Sequence, residues 1–132
     1  MTEQAVTLLP EDRARWIRCI RFFDHGFSYY VCGRFAMANF LMPVAANNLH
    51  HAIEMFLKGY LIRRHGLDDE ILRKRFGHRL DALWAEFRTR HQEPIYDRFT
   101  QTIAELNKFE ELRYPPPEPP EPGPRHAQAY YP

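Results

Sequence analysis

From Asn47 to Ile62 the chain reads NNLHHAIEMFLKGYLI, and its polar positions fall on one narrow line. At helical spacing Asn47, His51, Glu54 and Lys58 recur at steps of four, three and four, which stacks them on one face. Leu57 and Leu61 flank that line on one side, and Met55 and Ile62 on the other. The opposite face, Leu49, Ile53, Phe56 and Tyr60, reads as core. A helix that is apolar nearly all round is a buried one, so this polar line is expected to lie at least partly inside the protein. Buried polar groups need partners.

Upstream, Pro10 followed by Glu11 and Asp12 predicts the first turn of a helix, since proline fits that position and acids favour the positive end of the helix dipole. Trp16, Ile20, Phe23 and Phe27 then repeat at four, three and four, and the apolar pattern runs on through Tyr30, Val31, Phe35 and Ala38. Gly26 and Gly33 each weaken a helix interior by about 1 kcal/mol relative to alanine, so one long helix and two consecutive ones are both open. Pro43 suits the first turn of the next helix, which runs to about Arg64 with Gly66 as its C-cap. Leu67 to Phe76 has room for a short helix before a break at Gly77. Leu80, Leu83, Trp84 and Phe87 form a further amphipathic face. Pro94 either stops that helix or starts the last one, along which Ile95, Phe99, Ile103 and Leu106 line one side. No alternating strand pattern competes. The expected fold is all-α, an antiparallel bundle of four to five helices over residues 1–114.

After Tyr114 the composition shifts. Of the 11 prolines, all but Pro10, Pro43 and Pro94 fall in the segment PPPEPPEPGPRHAQAYYP, residues 115–132. Such a stretch cannot continue a helix or bury a core, so an extended or disordered proline-rich tail is expected. It reads either as a solvated terminus or as a docking tail for a proline-binding partner.

Charge changes the picture little: 18 basic residues stand against 17 acidic ones, so no overall field points to nucleic acid or membrane. Local basic clusters at Arg63, Arg64, His65 and at Arg73, Lys74, Arg75 fit solvated helix ends or an RNA-contacting rim. Cys19 and Cys32 lack metal-ligand spacing and read as reduced core thiols. With no signal peptide and no apolar run long enough to span a bilayer, the expected location is cytoplasmic, with no membrane partner.

His51 and Glu54, one turn apart, supply only half a metal site, and His50 points about a hundred degrees from His51 on a helix. No metal and no cofactor are expected. Glu54 and Lys58 form an ion pair in the favourable order. On the last helix Glu110 and Arg113 fall beside the arc of Ile103 and Leu106, where apolar residues would stand. A polar cluster of Asn47, His51, Glu54, Lys58, His78, Glu110 and Arg113 is therefore expected within the bundle. It reads as a network that fixes helix register, or as an anion or nucleotide pocket with Arg113 gripping phosphate. Gly-rich phosphate loops, nucleophile elbows and HExxH are missing.

The runs NLHHAIEMFLKGYL, FGHRLDALW and LNKFEELRYP resemble the HEPN superfamily of all-α domains. The matching positions are Ala52, Glu54, Leu57 and Lys58; Gly77, His78 and Leu80; and Arg113, Tyr114 and Pro115. YYVCGRFA, Tyr29 to Ala36, is similar to the family's first helix, so the likeness covers about residues 14–115. The resemblance implies either a non-catalytic binding domain or a metal-independent endoribonuclease. In the first case the partners would be a small nucleotidyltransferase, a toxin–antitoxin or defence partner, RNA or a nucleotide. In the second, an arginine and a histidine four to six residues on meet at a homodimer interface. Arg73 and His78 have that spacing, but Lys74 follows where a polar or acidic residue is usual, and His78 also belongs to the GH-x-L turn. The expectation adopted is a cytoplasmic homodimeric HEPN-like binding domain pairing through the aromatic and apolar faces of its first helices. The alternatives are a ribonuclease using His78 with Arg73 or Arg113, and a partner module using the tail.

Overall fold

The computed structural model describes residues 9–109, and within them the chain is all-α, with no strand. Helix α1 spans Pro10–Ala38 unbroken, so neither Gly26 nor Gly33 divides it. Helix α2 spans Met42–His65 and ends at Gly66 in the left-handed conformation (φ 63°), where the glycine N–H reaches Ile62 O. A short turn of helix, α3 (Asp69–Ile71), is capped by Asp68, whose carboxylate accepts from the Ile71 N–H. It continues as a wide π turn over Leu72–Phe76. Helix α4 covers Leu80–Arg90, and a 3-10 turn at Pro94–Tyr96 leads into α5, Asp97–Lys108. The residues after 109, including Glu110, Arg113, the RYP motif and the proline-rich tail, lie outside the described residues, as do residues 1–8.

Helices α1 and α2 form an antiparallel hairpin whose contact is made by small residues. A Cβ added at Gly26 would stand 2.8 Å from the Phe56 ring, one at Gly33 3.0 Å from Leu49, and one at Gly59 3.2 Å from Phe22. With no side chain in the way, the two backbones approach closely. Cys19, Ala36, Ala45 and Ala52 complete this buried seam. The hairpin turns at Asn39–Leu41, where Phe40, 88% exposed, takes a positive φ of 59°.

The consequence for α1 departs from the periodicity argument. Ile20, Phe27, Tyr30, Val31 and Phe35 are exposed, because the face turned to α2 is the glycine face. Trp16 and Phe23, partly exposed, still lie against α2, Trp16 at Arg63 and Phe23 at Gly59 and Phe56. On α2, Leu49, Ile53, Phe56 and Tyr60 are only half-buried, and the most enclosed side includes the polar line. The apolar core gathers around the second half of α2: Leu57, Leu61 and Ile62 pack with Cys19, Leu72, Phe76, Leu80, Leu83 and Ile103. Cys32, read above as a core thiol, is exposed; Cys19 is buried. Among the described residues no helix is long and apolar enough to cross a membrane.

Candidate functional site

The site is built on a little over two turns of α2, from His50 to Lys58. His50, Glu54 and Lys58 follow at steps of four, so they share a face, and His51 lies one turn before Glu54. Glu54 has no exposed surface. A bare carboxylate there would be costly, and the chain surrounds it with donors. Lys58 Nζ donates to Glu54 Oε1 at 2.6 Å, and His78 Nδ1 donates to the same oxygen at 3.1 Å. His51 Nδ1 stands 3.4 Å from Oε2, and His50 Nε2 3.9 Å from it. Burial pushes the Glu54 carboxyl up, but hydrogen bonds from His51 and Lys58 and the charges of Lys58 and His78 outweigh it. Together they hold its pKa at about 2.

Each donor also fastens another element. Lys58 Nζ donates to the carbonyl oxygen of Gly77 at 2.6 Å. Gly77 can present that carbonyl because it takes φ 54°, the left-handed region that glycine enters without strain. His50 places Nδ1 3.0 Å from Leu106 O and Nε2 3.3 Å from His78 O. Carbonyl oxygens only accept, so both contacts are donated at once only by the doubly protonated ring. Nearby, Asn107 Oδ1 accepts from the backbone N–H of Leu80 at 3.0 Å and of Asp81 at 3.3 Å. Helix α4 has no side-chain cap of its own at Arg79, so a residue of α5 caps it across space.

Of the residues singled out in the sequence, the structure thus brings His51, Glu54, Lys58 and His78 together. Asn47 lies one turn further up α2, half-buried, with no hydrogen bond to the cluster among the described residues. Glu110 and Arg113 fall outside those residues. His50, set aside because neighbours diverge on a helix, joins the cluster: the helix is enclosed on several sides, so diverging neighbours both find partners. Its signal was its spacing, four before Glu54 and eight before Lys58. Asn107 carried no local signal, since its role depends on a contact 27 residues away in sequence. Glu86, buried, is held by Arg90 one turn on in α4 at 2.7 Å, a pairing its i,i+4 spacing could have signalled, and by Arg75 at 3.0 Å.

A cavity of about 140 Å³ opens beside the network, lined by Phe22, Lys58, Asp69, Leu72, Arg73, Gly77 and His78. Arg73 and His78 therefore share one rim. The His78 side chain is 66% exposed. Because the ionised Glu54 can only accept, His78 carries its proton on Nδ1, and Nε2 makes no hydrogen bond among the described residues. Among those residues no group of three or more His, Cys, Asp or Glu side chains is arranged to hold a metal ion. No known family matches the chain, and neither a curated protein nor a solved structure matches it.

Proposed function

We propose that this chain is a cytoplasmic HEPN-like helical bundle that acts by binding, pairing with a second copy through α1 and contacting phosphate at the Arg73–His78 rim. The observation that carries the binding reading is the inverted amphipathicity of α1. Its glycines face the fold, and Ile17, Ile20, Phe27, Val31 and Phe35 face outward. An exposed apolar face of that extent is characteristic of a surface with a partner. The charges around Glu54 support a structural role for the buried network, since the carboxylate is saturated by Lys58, His51 and His78. What is left for a ligand is the rim, where Arg73 and His78 line the cavity and are of a kind to suit a phosphate of RNA or a nucleotide.

One observation favours a second reading. A buried ionised carboxylate holding Nδ1 of an exposed histidine leaves Nε2 ready to act as a general base, and Arg73 on the same cavity would stabilise a phosphorane. That is the metal-independent ribonuclease. Incubation with mixed-sequence RNA, with and without EDTA, beside Arg73→Ala and His78→Ala separates the two. The binding reading expects RNA retention weakened in both variants, with no cleavage. EDTA-resistant cleavage lost in His78→Ala would replace it with the ribonuclease. Absence of both retention and cleavage would remove the phosphate contact.

A further inference from the structure

The outward face of α1 carries a register that periodicity alone does not explain. Ile17, Ile20, Asp24, Phe27, Val31, Arg34 and Ala38 follow at alternating steps of three and four, and every one is exposed. That is the seven-residue spacing of a helix that pairs with another helix. Two members break the apolar run, Asp24 and Arg34. Among the described residues the Asp24 carboxylate makes no hydrogen bond or ion pair; only its backbone oxygen is used, by Ser28 Oγ. Arg34 spends one N–H on its own Tyr30 Oη at 3.2 Å, which leaves further guanidinium donors. Ten residues along a helix is roughly 15 Å, too far for the two to meet within one copy.

They meet if a second copy lies antiparallel. With a twofold axis at the level of Tyr29, midway between them, Asp24 faces the partner's Arg34 and Arg34 faces the partner's Asp24. The same symmetry sets Phe27 against the partner's Val31 and Ile20 against the partner's Ala38. A parallel pairing in register would instead stack acid on acid and arginine on arginine, which a partly desolvated seam disfavours. The apolar area is of the right kind. Phe27 and Phe35 are 63% and 68% exposed, and aromatic side chains bury roughly 150–250 Å² each. The two rings alone thus offer on the order of 250 Å² per copy, about a third of what each partner of a standard interface hides.

We infer that two copies pair α1 against α1, antiparallel about an axis near Tyr29, closing two symmetry-related Asp24–Arg34 ion pairs within a seam of Ile17, Ile20, Phe27 and Val31 flanked by Phe35. This rests on the homodimer reading and specifies its geometry. The test is sedimentation velocity on the full chain with Asp24→Arg, Arg34→Asp, the double variant, and an equal mixture of the two singles. Each single variant sets like charges against each other twice, and is expected to weaken the dimer at least tenfold. The double variant restores the homodimer, and the mixed singles form a heterodimer, because each then supplies what the other lacks. Singles that dimerise like the wild type, or a mixture that stays monomeric while circular dichroism shows intact helices, would overturn the register and leave the homodimer standing. A monomeric wild type would overturn the homodimer reading itself, and the register with it. Should a charge reversal unfold, Asp24→Asn and Arg34→Gln carry the same test. Each weakens the dimer and the pair together is no worse than either alone; additive losses would contradict the pairing.

Discussion

Glu54 is wholly enclosed, yet it accepts a hydrogen bond at 3.1 Å from His78, a residue whose side chain is two-thirds exposed. That bond links the inside of the fold to its surface. On the inner side the same carboxylate oxygen is held by Lys58 at 2.6 Å, and Lys58 in turn holds Gly77, the residue before His78. The turn that presents His78 is therefore fixed twice to α2, once through its backbone and once through its imidazole.

The first prediction concerns the pair at its centre. Glu54→Gln leaves the buried Lys58 ammonium facing a neutral amide, and Lys58→Met leaves the carboxylate without its strongest partner. Each is expected to cost on the order of 3–5 kcal/mol in urea denaturation. The double substitution should cost clearly less than the two added together, because it removes both charges at once. Strict additivity would mean that the two side chains do not interact as the geometry indicates.

Acid should reveal the same carboxylate. Its pKa falls from 4.5 to about 2 on folding, so the unfolded chain binds the proton more tightly. The associated stability is complete above about pH 5 and is lost as pH falls through about 2; it amounts to on the order of 3 kcal/mol. Glu54→Gln should flatten this part of the pH–stability profile. A variant with the wild-type acid slope would assign that slope to other carboxylates.

Asn107 offers a prediction independent of charge. Asn107→Ala strips the first turn of α4 of its acceptor, and the expected loss is about 1 kcal/mol, while Asn107→Asp retains an oxygen and should cost less. Hydrogen exchange of the Leu80 and Asp81 amides reads this locally. Unchanged protection in Asn107→Ala would show that the cap contributes nothing.

The hairpin seam predicts the sign of a conservative change. Alanine normally improves a helix over glycine by about 1 kcal/mol. At Gly33 the new methyl would meet the Leu49 side chain at 3.0 Å and its backbone nitrogen at 3.3 Å, and backbone yields poorly. Overpacking costs roughly 1–3 kcal/mol, so Gly33→Ala is expected to lower the melting temperature despite its propensity. A raised melting temperature would mean that the helices are not in close contact there.

Much of the fold was legible because its punctuation is local. Pro10 at the first turn, Gly66 at the C-cap and the break at Gly77 follow from backbone chemistry that a few residues determine, and so does the polar line of α2. The face of α1 was not legible from periodicity. An apolar repeat ordinarily marks the buried side, but close helix approach prefers glycine, and Gly26 and Gly33 made the seam while the large side chains turned out. At the site, Glu54, Lys58 and His78 were readable from spacing and turn chemistry. The spacing of His50 put it on the face of Glu54 and Lys58, but its backbone partners in distant segments were not readable, and neither were those of Asn107. The proposed contribution of Glu110 and Arg113 falls beyond residue 109.

The central claim is that the outward face of α1 is a binding surface for a second copy. Sedimentation equilibrium of the full chain beside Phe27→Asp, with circular dichroism of both, tests it most directly. The account predicts a dimeric wild type and a monomeric variant of unchanged helicity, since Phe27 is exposed within one copy. A wild type that remains monomeric at every concentration, or a Phe27→Asp variant that dimerises equally well, would contradict it.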